Sequence, residues 1–312
     1  MMSSNEEEEL PDMFTEALPT SQDVWEALKV NPRLEEESVA ASCQLVYPAG
    51  IILRMPVEAL LRALIIFNRG VIMWPFTSEE EQVNNDELSI RNNVAARAAA
   101  SLYLAAKTVT GCTPELGASP QAVSLAVGHL CEANNGREST IKPYFQWNRP
   151  SSSAILQAEP RILAALGYDM SSGRASAVTL AIAYCAMIGL CVDVDVGDKE
   201  KAERQQEKEQ GRRSRDMVGR VVGRILEAAA GSLWATGIHS GRTLACAAIE
   251  SVVGEDSICG GGGIRDGDDE SLMVCRGWWR VFDVRDAELE HCAGHIASSR
   301  ARVESICRAA GC

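Results

Sequence analysis

Between Val94 and Ala106 the chain reads VAARAAASLYLAA, and the run closes on Lys107. Alanine is the strongest helix former, and a helix with small side chains on every face lets neighbours approach from several directions at once. Such a segment is a hub rather than a surface helix. A second run of this kind, GRTLACAAIESVV at 241–253, lies in the other half of the chain. Alternating β-branched runs and Asn-Gly hairpin signals are nearly absent. The predicted fold class is all-α, with two tandem sets of five helices, each built around its alanine-rich third member.

The other helices follow from periodicity and caps. Helices are predicted over 37–52, 56–74, 88–110, 119–133 and 153–166 in the first set, and over 175–191, 217–234, 241–253 and 286–308 in the second. Pro56 and Pro120 suit first turns, Ser119 an N-cap, and Gly167 a C-terminal cap. Along 56–74, Glu58, Arg62 and Arg69 fall within about 40° at 100° per residue, which predicts one thin solvent-facing stripe. In the last helix Leu289, Cys292, Ile296, Val303 and Ile306 share the inward face. GWWRVF reads as a short apolar turn.

The organisation expected is an acidic arm over 1–35 with little core of its own and one helical unit over 36–170. A second unit follows over 171–312, carrying a charged insertion at 193–216 and a glycine-rich loop at 259–270. That loop lacks the Gly-Lys-Ser/Thr ending of a phosphate-binding loop.

Charge and thiols exclude several classes. The 43 acidic and 30 basic side chains give a formal charge of −13, which opposes binding to a phosphate backbone; no direct nucleic-acid partner is expected. The eleven cysteines form no Cys-x-x-Cys pair, so reduced thiols in a nuclear or cytosolic setting are predicted. MMSSNEEEEL is acidic and without an apolar core, and no secretory signal is expected there. SAVTLAIAYCAMIGLCV, at 176–192, is uncharged, but its small and polar residues favour a buried helix over a membrane span.

Several stretches resemble the cyclin family, most closely its L-type, transcription-associated members. CQLVYPAGIILRMPVEALLRALIIFNR is similar to the first two cyclin-box helices, and VAARAAASLYLAAK to the third, which ends in Leu-Ala-x-Lys. AEPRILAALGYDM resembles the fifth helix. TLACAAIES and GWWRVFDVRDAELEHCAGHI are similar to the third and last helices of a second box. The likeness runs in order from about residue 36 to residue 305.

This resemblance implies two tandem five-helix cyclin boxes and a nuclear regulatory subunit that binds and activates a cyclin-dependent kinase in transcription or pre-mRNA processing. By motif, Lys107 and Glu159 are the kinase-binding pair. The chain departs from the family where Thr108, Val109 and Thr110 replace acids after the lysine, where Gly70 replaces an aromatic, and where Pro160 follows Glu159. A proline inside a helix costs about 3 kcal/mol, so the fifth helix is expected to kink there or to begin there.

No catalytic residue is assigned, since kinase and hydrolase motifs are absent; the chain is read as no enzyme, and no cofactor is assigned. His291 and His295 share one helix face, but HCAGH lacks the glutamate of a metalloprotease and brings no further ligand, so no metal is assigned. The alternatives are a cyclin-fold scaffold without kinase activation, and a TFIIB-like factor, whose zinc ribbon and basic surface this chain lacks.

Overall fold

A computed structural model describes residues 19–76, 93–109, 119–135, 147–168, 176–188, 190, 201–259 and 278–310. The helices in order are α1 (Ser21–Val30), α2 (Leu34–Ala41), α3 (Tyr47–Ile52), α4 (Val57–Met73), α5 (Val94–Thr108) and α6 (Pro120–Asn135). They continue with α7 (Ser152–Ala165), α8 (Ala177–Met187), α9 (Lys201–Gly231), α10 (Leu233–Gly237), α11 (Gly241–Cys259) and α12 (Asp286–Ala310). A π-helical turn, Ser42–Val46, joins α2 to α3, and a 3₁₀ turn, Trp278–Phe282, precedes α12. Among the described residues there is no strand, and the chain is all-helical as its periodicity predicts.

The alanine-rich helices are the hubs. Helix α5 packs against α4, α6, α7 and the π-helical turn, and α11 packs against α8, α9 and α12. Every residue of α5 from Val94 to Leu102 is buried, Arg97 included. Arg97 is 1% exposed; its guanidinium lies 4.4 Å from the centroid of Phe76 and 4.7 Å from that of Trp74, and it donates to the Gly70 carbonyl at 2.8 Å. Buried charge is tolerated where hydrogen bonds and aromatic faces replace water. Gly70 therefore supplies a backbone acceptor to the hub.

Several local predictions appear as read. Ser119 accepts from the Ala122 N–H, Pro120 opens α6, and Gly167, with φ of +62°, follows the end of α7. Leu289, Cys292 and Ile296 are buried on α12. Helix α8 has 11 residues, and among the described residues no helix is long and apolar enough to cross a membrane.

Other segments differ. In the expected arm, α1 is closed by a reciprocal Thr20–Asp23 capping box and buries Val24 and Ala27, with Leu34 fully buried just beyond it. Thus residues 19–35 contribute to the core. The charged insertion is helical from Lys201 and runs without a break into the 217–231 segment as α9. Continuity with a packed helix supplies the stability that its own composition lacks. Residues 1–18, the 77–92 connection, 193–200 of the insertion and 260–270 of the glycine-rich loop lie outside the described residues.

The polar stripe of α4 also differs from expectation, because it holds neighbouring helices rather than facing only solvent. Glu58 accepts from the Ser176 hydroxyl at 2.5 Å and from Thr179, at the N-terminus of α8. Arg62 donates to the Thr108 carbonyl at the end of α5, and Arg69 to the Thr236 carbonyl of α10. The Ser176 and Thr179 hydrogen bonds hold the Glu58 carboxyl below its usual value against the opposing effect of burial. A depressed folded pKa adds stability that is complete above the unfolded value and lost as pH falls through the folded one. Glu58→Gln is accordingly expected to shrink the stability lost between about pH 5 and pH 3, by about 1 kcal/mol or less for this partly exposed group, as read by urea unfolding at each pH.

Close approach explains one glycine. A Cβ on Gly231, at the end of α9, would lie 2.7 Å from the Ser299 backbone oxygen of α12. Gly219 and Gly223, on the same helix, have nothing within 4 Å of such a Cβ. Gly231→Ala is expected to destabilise by about 1–3 kcal/mol through overpacking. Gly219→Ala should instead stabilise by about 0.5–1 kcal/mol through helix propensity. Thermal unfolding of the two variants side by side checks the opposite signs.

Candidate interaction site

Lys107 stands in the last turn of α5, where a cation complements the exposed carbonyls of a helix end. Glu159 lies on α7, whose N-terminus is fixed by Ser151 accepting from the Ala154 N–H. The packing of α5 on α7 brings the two together: Lys107 Nζ donates to Glu159 Oε1 at 2.6 Å. The lysine side chain is 44% exposed and the glutamate 15%. Burial acts to lower the ammonium pKa; hydrogen bonding to Glu159 and contact with Tyr103 outweigh it and hold the group above its usual value. The ammonium also lies 4.1 Å from the centroid of the Tyr103 ring.

Helix α7 runs continuously through Pro160, so the expectation that its regular part begins at that proline does not hold. Pro160 has no N–H to return to the Leu156 carbonyl, yet its ring is exposed and fits on the outer face of the helix. Leu156, one turn before Glu159, is 48% exposed. The surface beside the ion pair therefore combines an aliphatic side chain, a rigid proline and two oriented charges. Thr108 turns its hydroxyl back to the Ala105 carbonyl, and its own carbonyl accepts from Arg62. Arg62 thus meets the C-terminal carbonyls of α5, while the Lys107 ammonium lies back over Tyr103 and against Glu159. Val109 is the C-cap of α5, while Thr110 lies outside the described residues.

Sequence reasoning paired Lys107 with Glu159 but missed the supports. Tyr103 is one helical turn before the lysine, a spacing that places the two on one face. Arg62 was assigned to solvent. Also missed was His239, which lies in the turn between α10 and α11 and meets His291 and His295 of α12. No spacing rule connects residues so far apart in the chain. Because its imidazole joins the other two, the HCAGH pair does have a further potential ligand.

Compared with models of known protein families the chain matches none, and no curated protein matches it in sequence.

Proposed function

We propose that this chain is a cyclin-like regulatory subunit. It binds a cyclin-dependent kinase of the transcription or RNA-processing group through the surface around Lys107 and Glu159, and activates it. The observation that carries the reading is the 2.6 Å Lys107–Glu159 pair at the rim of an alanine-rich hub, at the two positions matched by the cyclin-like motifs. In this reading the two helical groups around α5 and α11 are tandem cyclin boxes, and the protein acts in the nucleus.

Energetics favours an interface role over a structural one. A surface ion pair of this exposure contributes about 0–1 kcal/mol to folding, little reason to orient two charges beside an exposed leucine. Polar groups already fixed in position cost less ordering when a partner docks. A kinase partner would use them to hold its regulatory helix and activation segment in the active arrangement. This chain supplies no catalytic group in that scheme; its binding energy selects one conformer of the kinase.

The test is reconstitution. Purified full chain titrated into isolated transcription-group cyclin-dependent kinases is expected to raise phosphorylation of a peptide substrate in a saturable manner. Absence of both binding and activation across that group would overturn the proposal.

A further inference from the structure

We propose that His239, His291 and His295 form a three-imidazole site for a divalent transition-metal ion of the zinc class, which ties α12 to the turn between α10 and α11. The site is distant in sequence from Lys107 and Glu159, and it stands or falls independently of kinase binding.

Geometry carries the inference. His291 and His295 are one turn apart on the same face of α12, with their Nε2 atoms 3.2 Å from each other. His239 comes from the opposite side, and one ring nitrogen from each of the three lies within 4.8 Å of the others. A tetrahedral zinc ion with nitrogen ligands at 2.0–2.1 Å separates those nitrogens by about 3.3 Å. The α12 pair already stands at that spacing. Bringing in the third ligand requires a contraction of at most about 1.5 Å, within reach of an imidazole rotation.

An independent observation points to a ligand. His239 is 8% exposed, and its Nε2 is buried without a hydrogen-bond partner. Buried polar nitrogens are nearly always satisfied, and an orphan needs an explanation. A hydrogen bond between His291 and His295 satisfies those two alone, whereas a metal ion satisfies all three.

The surroundings suit a cation and a further ligand. His239 and His291 line a cavity of about 570 Å³ together with Thr20, Asp283 and Glu288, so a water or an exogenous donor has access to the fourth position. The guanidinium of Arg242, which also faces this cavity, is 3.6 Å from the Asp283 carboxylate. Trp234 lies parallel to His295 with ring centroids 6.0 Å apart. Three histidines with an open position are the ligand set of zinc sites that retain a water, and imidazole ligands suit zinc, copper, iron and nickel.

The test uses the full, untagged chain stripped with chelator and kept reduced. Titration with Zn²⁺ by calorimetry is expected to show one tight equivalent and a raised Tm. Co²⁺ substitution is expected to give visible ligand-field bands without thiolate charge transfer. The double substitution His291→Gln with His295→Gln, folded by circular dichroism, should weaken Zn²⁺ binding roughly 100-fold or more and abolish the Tm shift. His239→Gln should do the same. The proposal is overturned by absence of saturable micromolar binding, by binding unchanged in these variants, or by a thiolate–cobalt band that moves the site to the cysteines.

Discussion

Replacing Asn68 with alanine is expected to lower the stability of the whole chain by about 3–5 kcal/mol. Asn68 is 1% exposed on α4, and every hydrogen-bonding position of its amide is used. Its oxygen accepts from the Ser38 and Ser42 hydroxyls at 3.1 and 3.3 Å, and its nitrogen donates to the Ala229 carbonyl and the Thr236 hydroxyl, both at 2.8 Å. One side chain thus ties α2 and the π-helical turn to α9 and α10. The contact is reinforced where the Cys43 thiol meets the Ala230 carbonyl at 3.4 Å, and where Gly237 packs against the end of the Ile72 side chain. Alanine at 68 strands several buried groups, each costing about 1–3 kcal/mol. Ser38→Ala removes only one of two donors to the same oxygen and should cost about 1 kcal/mol. Denaturant unfolding checks both values; a loss below about 1 kcal/mol for Asn68→Ala would show that the helical groups do not depend on this junction.

The second large effect is expected on partner binding rather than on stability. Exchanging the charges, Lys107→Glu with Glu159→Lys, keeps an attractive pair across the α5–α7 contact. Folding should change by no more than about 1 kcal/mol, because the lysine end of the pair is exposed and the exchanged pair remains attractive. A docked kinase would meet inverted charges in an interface closed to water. Truncating one partner of a buried interfacial charge pair costs about 2–5 kcal/mol, and like-charge contact costs several more. Affinity is therefore expected to fall at least about 100-fold. Surface plasmon resonance with an immobilised kinase, alongside a thermal melt, separates the two effects. Unchanged affinity with a normal melt would place the binding face elsewhere.

The hubs were legible in the sequence because alanine encodes burial on all sides, and α5 and α11 are buried as that composition requires. Caps were legible for the same local reason at Ser119 and Gly167. What local reasoning misplaced were residues whose partners are remote. Arg62, Arg69 and Glu58 form a polar stripe by periodicity, but periodicity does not say that α5, α8 and α10 end beside them. Helix α1 was hidden by the acids around it, although its Thr20–Asp23 box and the Val24–Ala27 spacing carry a local signature.

At the candidate site, the pairing of Lys107 with Glu159 was implied by the resemblance to cyclin motifs, while its setting came from tertiary packing. Pro160 shows the limit of propensity: its helix cost is real, yet α7 continues because Ile155, Ala158 and Ile162 are anchored in the core on the other face. Packing of a buried stripe outweighs one missing backbone hydrogen bond. The histidine cluster was illegible for a different reason. Two of its members announce themselves by i, i+4 spacing, but the third becomes a neighbour only through the packing of α11 and α12.

A regulatory partner of a cyclin-dependent kinase, as proposed for this chain, must carry that kinase with it from the cell. Affinity purification of the chain from its native cell, followed by mass spectrometry, tests it most directly. Stoichiometric recovery of such a kinase is expected, lost when the Lys107 and Glu159 charges are exchanged. Recovery of structural partners alone, with no kinase above background, would contradict it and favour a helical scaffold.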